Sequence, residues 1–478
     1  MCKPRTFFRL TPDADELCLF AVKRGNIRKR FDVRFNVPKK NVESVIGKVK
    51  LGSLCLQEPD YGASAAAIER TDESQPKYIR ITDFSDNGIE ENHIFMTATG
   101  YTDKHRLMKG DILFARSGAT VGKTYYYDGT IGEAVFAGYC IRFKIDERKV
   151  LSEYVYWYTK CSYYLNWANS IQRPSGQPNI NKEEYKSLEI MLPSRDKQRC
   201  LVDFMNTAAQ KRREKLRQAD ELLTGLSNFM YTELGINLPQ VNFKLCYAVK
   251  QNQIRKRFDP YANQPKFTEY FNLINKHFRT KKLSEISDVI FSGITPKSGG
   301  DAYTDENVGI PFIRSGNIAN DITTADVTDV YIKSEIHSQI MGNSQLKYGD
   351  ILIAIVGATI GKVGIYKDTR EANINQAIAV VRLNSNFFIN DFVMIYLQSP
   401  MGQMYLDYLK RPVARANINL EEIGSIEIPL VSEEIQQRII SLVNNVKKES
   451  NEKKLEAETE WSATKVRFEQ ELLGGTNK

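Results

Sequence analysis

Two glycine-rich stretches carry the residues whose types and spacing come closest to chemistry. Residues 109–123 read KGDILFARSGATVGK, and residues 348–362 read YGDILIAIVGATIGK. Glycines let a backbone turn tightly or approach a phosphate, and Lys123 and Lys362 end the stretches with a cation that can contact one. The spacing is not that of the G-x-x-x-x-G-K-S/T phosphate loop. The sequence therefore favours a structural turn between two strands, with the two lysines as candidate phosphate contacts.

A second pattern of chemical interest lies in two polar loops. Residues 172–181 read QRPSGQPNIN, and residues 410–419 read KRPVARANIN. Arginine, glutamine and asparagine make bidentate contacts with guanine and adenine edges, so these loops are candidates for reading a base sequence. Both loops keep Arg-Pro and Asn-Ile-Asn and differ in between, as two readers of different sequences would. An ordinary polar loop ahead of an edge strand is the alternative.

Catalytic and metal-binding signatures are absent from the sequence. It has no G-x-G-x-x-G dinucleotide fingerprint, its 7 cysteines form no C-x-x-C pair, and its 4 histidines are scattered. We therefore expect no metal and a reduced, cytoplasmic compartment. No apolar run approaches the roughly 18 residues of a membrane span, so no membrane partner is expected. The net charge of +8 permits a polyanionic partner without establishing one.

The glycine-rich stretches belong to a repeat that covers the chain. Gly357 follows Gly118 by 239 positions, which is half of the 478 residues. Further matches pair residues 21–32 with 248–259, 78–80 with 312–314, and 179–181 with 417–419. The sequence therefore predicts one globular module built twice.

Each copy is predicted to contain a buried strand before the glycine-rich turn and a helix beyond it. The strands at 111–115 and 350–354 are continuously apolar, which is typical of burial on both faces. The aromatic helix at 154–158 has rings that can stack on bases. Its counterpart at 392–396 keeps the apolar character without the aromatic identity, which favours a core role for both.

A long helical pattern follows each copy. Apolar residues recur at 3–4 spacing from about 195 to 234 and from about 432 to 473, and about 40 residues would span about 60 Å. Helices of this length and spacing usually pair as a coiled coil. Opposite charges in the two middles predict an antiparallel pair with a salt-bridged belt; solvated helix faces are the alternative, because exposed bridges contribute only about 0–1 kcal/mol each. The charges are Lys211, Arg212, Arg213, Lys215 and Arg217 in the first helix, and Glu449, Glu452, Glu456, Glu458 and Glu460 in the second.

This layout resembles the specificity (S) subunit of type I restriction–modification enzymes. The resemblance rests on the doubled domain, the G-D-I-L-x-A-x-x-G-A-T-x-G-K stretch in each copy, and the long helix after each copy. It also rests on the early segments at 61–65 and 293–296, and on Asn-Ile-Asn followed by a strand that ends at proline. The first copy lacks the Thr-Pro of the second, and Arg415 stands near a position where the family often has glycine.

The resemblance implies an α/β (α+β) internal duplication. Two target-recognition domains would be separated by two long helices that form an antiparallel coiled coil. The expected bounds are 1–194 for the first target-recognition domain with its N-terminal segment, 195–236 for the first spacer helix, 237–431 for the second target-recognition domain, 432–474 for the second spacer helix, and 475–478 for a tail.

The same resemblance implies a sequence-specific DNA-recognition subunit that is not itself an enzyme. Each domain would read one half of a bipartite, asymmetric site in double-stranded DNA, while the helices set the gap and dock two modification (M) subunits. No cofactor is expected in this chain: S-adenosylmethionine would be bound by the M subunits, and ATP and Mg by restriction (R) subunits. The alternatives are a single-chain DNA methyltransferase or nuclease, and a coiled-coil protein scaffold without DNA binding.

The candidate DNA contacts lie at strand ends and in the polar loops. They are Arg80, Lys123, Arg173, Ser175, Gln177, Asn179, Arg314, Lys362, Arg411, Arg415 and Asn417. No catalytic residue and no metal ligand is predicted.

Overall fold

Two compact units make up the chain in the computed structural model. The first comprises residues 1–215 with 455–478, and the second comprises residues 216–454. The structure describes residues 47–85, 88–89, 93–172, 178–236, 247–249, 258–297, 300–318, 321–384, 386–411 and 416–473. The predicted match between 21–32 and 248–259 therefore lies largely outside the described residues.

The first unit is built around an antiparallel sheet in the order β2-β9-β6-β7. Strand β4 pairs in parallel with β8, and β1 pairs antiparallel with β10. The strands are β1 (Lys48–Lys50), β2 (Asp60–Tyr61), β3 (Ala67–Ile68), β4 (Lys77–Ile79), β5 (Thr97–Ala98), β6 (Asp111–Ala115), β7 (Thr124–Tyr126), β8 (Ala134–Phe136), β9 (Cys140–Lys144) and β10 (Glu189–Met191). The helices are α1 (Ser152–Tyr158), α2 (Ser162–Ile171), α3 (Lys182–Lys186) and the long helix α4 (Arg195–Glu233), which begins in this unit.

Strand β6 is buried on both faces, as its continuous apolar sequence predicts. Ile112 and Phe114 belong to a core that also contains the aromatic residues of α1. Leu113 and Ala115 point to the opposite face and join a second core with Ile79. The alternation along a strand explains why one short run needs apolar residues at every position. It also confirms the core role predicted for the aromatic helix.

The second unit repeats this frame around a sheet in the order β12-β20-β17-β18-β15. Strand β14 pairs in parallel with β19, and β11 pairs antiparallel with β21. The strands are β11 (Thr280–Lys282), β12 (Ser287–Ser292), β13 (Tyr303–Thr304), β14 (Ile310–Ile313), β15 (Ile322–Thr323), β16 (Tyr331–Ile332), β17 (Ile351–Ala354), β18 (Val363–Tyr366), β19 (Asn373–Ile374), β20 (Ile378–Leu383) and β21 (Glu427–Pro429). The helices are α5 (Pro265–His277), α6 (Leu283–Ile286), α7 (Asn390–Gln398), α8 (Pro400–Leu409), α9 (Leu420–Gly424) and the long helix α10 (Glu433–Leu472).

The long helices α4 and α10 contact each other in opposite order along the chain. In the first unit, Lys215 pairs with Glu456 at 2.8 Å and with Glu460 at 2.9 Å, and Lys197 pairs with Glu471. Residues later in α4 thus contact residues earlier in α10.

The second unit has the same reversed order. Lys454 pairs with Asp220 at 2.8 Å, and Arg438 pairs with Glu233 at 2.7 Å. Among the charges of the predicted belt, Arg212 and Lys215 pair across to the other helix. Arg217 instead pairs with Glu221 of its own helix.

None of the helices in the described ranges is both long and apolar enough to cross a membrane.

Candidate nucleic-acid interface

Each glycine-rich stretch forms a tight turn at the end of its central strand. Gly118 has a φ of +77° and Gly357 a φ of +73°, a left-handed conformation that glycine adopts without strain. The amide of Gly122 donates to the carbonyl of Ala115 at 3.1 Å, and that of Gly118 to the carbonyl of Pro178 at 3.1 Å. A phosphate cradle needs backbone amides that are free to point at the anion. These amides are already bonded, so the glycines act as a structural turn.

The Asn-Ile-Asn segment lies against this turn in both copies. Asn179 forms a β-bridge with Ser117, and Asn417 forms the equivalent bridge with Val356. The amide of Ile180 donates to the carbonyl of Arg116 at 2.9 Å. The two patterns that stood out in the sequence are therefore neighbours in space.

The three residues of the Asn-Ile-Asn segment have separate roles. Ile180 is fully buried in the core, and Asn181 caps α3 by accepting a hydrogen bond from the amide of Glu184 at 2.9 Å. The Glu184 carboxylate accepts in return from the Asn181 amide at 2.8 Å, which completes a capping box. Asn419 and Glu422 repeat the arrangement at α9. The first asparagine, Asn179 or Asn417, instead forms the backbone bridge to the glycine-rich turn.

A chain of backbone hydrogen bonds joins four segments into one edge of the first unit. The carbonyl of Ile79 accepts from Ala137 at 2.9 Å, and the carbonyl of Tyr139 accepts from Arg116 at 3.0 Å. The chain ends with the bond between Arg116 and Ile180. This edge, which we call the first rim, holds Arg80 beside β4 and Asn179 beside the glycine-rich turn.

The second unit has an equivalent rim with the same bonds. The carbonyl of Ile313 accepts from Asn375 at 3.0 Å, and the carbonyl of Ala377 accepts from Ile355 at 2.9 Å. The carbonyl of Ile355 then accepts from Ile418 at 3.0 Å. This second rim holds Arg314 and Asn417. The fold therefore collects predicted residues that are distant in sequence.

The predicted arginines of the rims differ in how firmly they are held. Arg80 makes a bidentate contact with the buried Asp83, at 2.7 Å from Nη2 and 3.1 Å from Nε. Arg314 pairs with the exposed Asp329 at 3.3 Å, and Arg411 pairs with Glu422 at 2.7 Å. A guanidinium has five donors, so each pair leaves donors for a second partner.

The remaining candidates divide into described and undescribed residues. Lys123 and Lys362 are half-buried, and their amides close the glycine-rich turns by donating to Thr120 at 2.9 Å and to Thr359 at 3.1 Å. Arg173, Ser175, Gln177 and Arg415 lie outside the described residues.

A buried carboxylate anchors each glycine-rich stretch from the other end of its strand. Asp350 accepts from the amide of Lys347 at 2.8 Å and from Arg382 at 2.8 and 2.7 Å. Asp111 accepts from the amide of Met108 at 2.9 Å, and Arg142 reaches it at 3.4 Å. Burial raises the pKa of the Asp111 carboxyl, and the Arg142 charge only partly opposes this shift.

The arginine that contacts the buried aspartate occupies a different strand position in each unit. Ile112 lies opposite Phe143, and Ile351 lies opposite Val381, so the position of Arg382 corresponds to Lys144. Arg142 stands two residues earlier on the same face and also binds Asp60 at 3.0 and 2.6 Å. Both units therefore have the buried carboxylate, but the arginine that pairs with it lies at a different position along the strand.

Sequence reasoning missed Arg116, which lies at the centre of the first rim. Its guanidinium carbon is 4.9 Å from the centre of the Tyr61 ring. The available signal was the difference between Arg116 and Ile355 within two otherwise similar stretches.

Comparison with known proteins agrees with this duplicated frame. A model of the type I restriction modification DNA specificity domain matches residues 47–218 and 275–460. The type I restriction enzyme EcoBI specificity subunit of Escherichia coli is 34% identical over 115 residues, which is 24% of this chain and 24% of that protein. The aligned part thus spans about a quarter of that relative.

One solved structure shows a likeness of fold, and a second is reported beside it. A chain from a study of complex assembly and conformational transition of the type I R-M system is 15% identical, with a TM-score of 0.51 over 92% of this chain and 100% of the other. The S subunit of a type I restriction-modification system from M. genitalium is also 15% identical, with a TM-score of 0.41 over 92% of this chain and 98% of the other. Because the family model matches most of the chain, in two copies, the protein belongs to the type I restriction modification DNA specificity domain family.

Proposed function

We propose that this chain is the DNA-recognition subunit of a type I restriction–modification complex, and that each unit reads one half of a bipartite, asymmetric site. The single observation that carries this proposal is the pair of equivalent rims. In each unit, one set of backbone bonds gathers an arginine, an asparagine and a glycine-rich turn on one edge. Arginine and asparagine are the side chains best suited to guanine and adenine edges.

The proposal extends to the individual contacts. Arg80, Arg173, Ser175, Gln177 and Asn179 would serve the first half-site, and Arg314, Arg411, Arg415 and Asn417 the second. Lys123 and Lys362 would contact phosphates, where a cation adds affinity without sequence preference. The target-recognition domains would occupy residues 1–194 and 237–431.

The long helices would form an antiparallel coiled coil that sets the gap between half-sites. The reversed order of ion pairs in both units supports this arrangement. A stiff spacer makes the second half-site contact effectively intramolecular, which raises the affinity of two weak readers. The two modification subunits would dock along these helices.

Chemistry in the complex would belong to the partners. The modification subunits would bind S-adenosylmethionine and methylate adenine, and restriction subunits would use ATP and Mg, all in the cytoplasm. Among the described residues, no group of three or more His, Cys, Asp or Glu is placed to hold a metal ion. This chain would supply recognition and spacing.

The test is a methylome. The full chain would be expressed with its modification partner in a host that lacks other adenine methyltransferases, and methylated adenines would be mapped by single-molecule sequencing. We expect one motif made of two specific halves around a fixed nonspecific gap. A continuous palindrome, or methylation that does not depend on this chain, would refute the proposal. The modification subunit expressed alone is the control.

A further inference from the structure

The two rims carry different side chains at positions whose backbone hydrogen bonds are equivalent. Arg116 donates its amide to the carbonyl of Tyr139 at 3.0 Å, and Ile355 donates to Ala377 at 2.9 Å. The same backbone position therefore carries an arginine beside a tyrosine in the first unit, and an isoleucine beside an alanine in the second.

The partner ring of Arg116 is also specific to the first unit. A Cβ on Gly62 would lie 2.2 Å from the carbonyl oxygen of Phe136, and one on Gly293 would lie 1.9 Å from that of Ile374. Each glycine therefore lets the backbone pass close to the end of the equivalent strand in its unit. Gly62 and Gly293 thus correspond, and Tyr61, just before Gly62, corresponds to Ser292 in the second unit. Arg116, Tyr61 and Tyr139 therefore form a cluster in the first unit, whereas the corresponding positions of the second unit carry Ile355, Ser292 and Ala377.

Arg116 is held in place without an acidic partner. Its amide and its carbonyl are both bonded, to Tyr139 and to Ile180, and its guanidinium stacks 4.9 Å from the Tyr61 ring. Across the described part of the chain, no carboxylate forms an ion pair with Arg116, and its buried Nε has no hydrogen-bond partner. Arg80, Arg314 and Arg411, by contrast, each pair with an acid.

Arg116 is oriented and accessible before any ligand binds. Tyr139 is 62% exposed and Tyr61 is 39% exposed, so the cluster opens to solvent. A stacked guanidinium presents a planar fork of donors that is already oriented, so little rotamer freedom is lost on binding. The best match for such a fork on DNA is the pair of acceptors O6 and N7 on the major-groove edge of guanine.

We propose that Arg116, oriented by Tyr61, reads a guanine in the half-site of the first unit, and that the second unit has no equivalent contact. This inference rests on the proposed function and adds one specificity-determining residue to it. The apolar Ile355, which is 5% exposed, cannot make such a contact.

The test uses the full chain assembled with its modification subunits, and duplexes that carry the methylated motif. Binding is measured by competition against a panel in which each specific base pair is replaced in turn. The intact complex should prefer guanine at one position of one half-site by about 5- to 150-fold. Arg116→Ala should reduce this preference to near 1 and leave the other half-site unchanged. Arg116→Lys keeps the charge but replaces the rigid fork with a flexible ammonium group, so it should recover affinity and only part of the preference.

Arg148→Ala is the matched control. Arg148 lies in the same unit, beyond the opposite end of β9, and its side chain is 83% exposed. Its replacement removes the same charge and should leave every base preference unchanged. If Arg116→Ala does not fold, Arg116→Lys carries the same test of the guanine preference.

Two outcomes would overturn the inference while the proposed function stands. One is equal weakening on all sequences with a salt slope smaller by about 1, which identifies a phosphate contact. The other is an unchanged base preference in both Arg116 variants. If the intact complex binds no bipartite motif at all, the proposed function itself fails.

Discussion

Replacing Asp350 with asparagine should destabilise the second unit by about 3 kcal/mol. Asp350 is 1% exposed, and its carboxylate accepts two hydrogen bonds from Arg382 and one from the amide of Lys347. Removal of one partner from a buried ion pair costs about 3–5 kcal/mol because the other charge remains buried. The side chain of Arg382 is 21% exposed, so water can solvate part of the stranded guanidinium. That exposure places the expected cost at the lower end of the range.

Hydrogen exchange measured by mass spectrometry gives the required resolution. Amides in β17 and β20 should exchange about 100-fold faster in Asp350→Asn, because about 1.4 kcal/mol corresponds to a factor of ten. Amides in β6 and β9 of the first unit are the internal control and should not change. The double variant Asp350→Asn with Arg382→Met removes both charges and should recover most of the loss.

The first unit supplies a matched comparison. In Asp111→Asn, Arg142 keeps its two short bonds to Asp60, so no unpaired charge is stranded. The exchange rates of β6 and β9 should therefore rise much less than those of β17 and β20 in Asp350→Asn. Equal effects of the two variants, or a rise in Asp350→Asn that is the same in both units, would refute the reasoning.

Two further predictions concern stability. Gly225 lies inside α4. Apart from its chain neighbours and the nearby backbone of its own helix, no atom lies within 4 Å of a Cβ added there, so an alanine side chain fits. Gly225→Ala should stabilise the chain by about 0.5–1 kcal/mol in thermal denaturation, and a lower melting temperature would contradict this. The Arg370 side chain hydrogen-bonds Asp368 and lowers the pKa of its carboxyl. This stabilisation is fully present above the unfolded pKa of about 3.9 and is lost progressively as pH falls from there through the lowered folded-state pKa, so Asp368→Asn should destabilise the chain at pH 7 and the difference should shrink steadily below about pH 4. A difference that does not depend on pH would be evidence against the assignment.

The duplicated frame was predictable from the sequence because its signals are local. The apolar run of residues 111–115 is the strand β6 with those bounds, and the run that ends at Ala354 is the strand β17. The long helices begin within one residue of the expected positions 195 and 432, and they end at Glu233 and Leu472, three and two residues before the expected bounds of 236 and 474. Within the predicted belt, Lys215 contacts Glu456 and Glu460, two of the acidic residues named for the middle of the second helix.

The composition of the rims was not predictable, because it depends on pairing between distant segments. Arg80 reaches the first rim only because β4 pairs in parallel with β8, more than fifty residues later. Arg116 was hidden inside a stretch that looked purely structural. Its uncommitted guanidinium and its contact with Tyr61 depend on how β2 meets β9, which no local pattern encodes.

The duplication itself separates scaffold from recognition. Where the copies agree, as at Gly62 and Gly293, the fold imposes a backbone approach that a side chain would block. Where they differ at one backbone position, as at Arg116 and Ile355, the same backbone bonds form in both units, so the backbone does not require an arginine at this position. A bipartite site that is asymmetric requires such differences, because two identical readers would select two identical half-sites. We therefore expect the difference between the two half-sites to be read at rim positions with matched backbones and unmatched side chains, and Arg116 meets that condition with a cation.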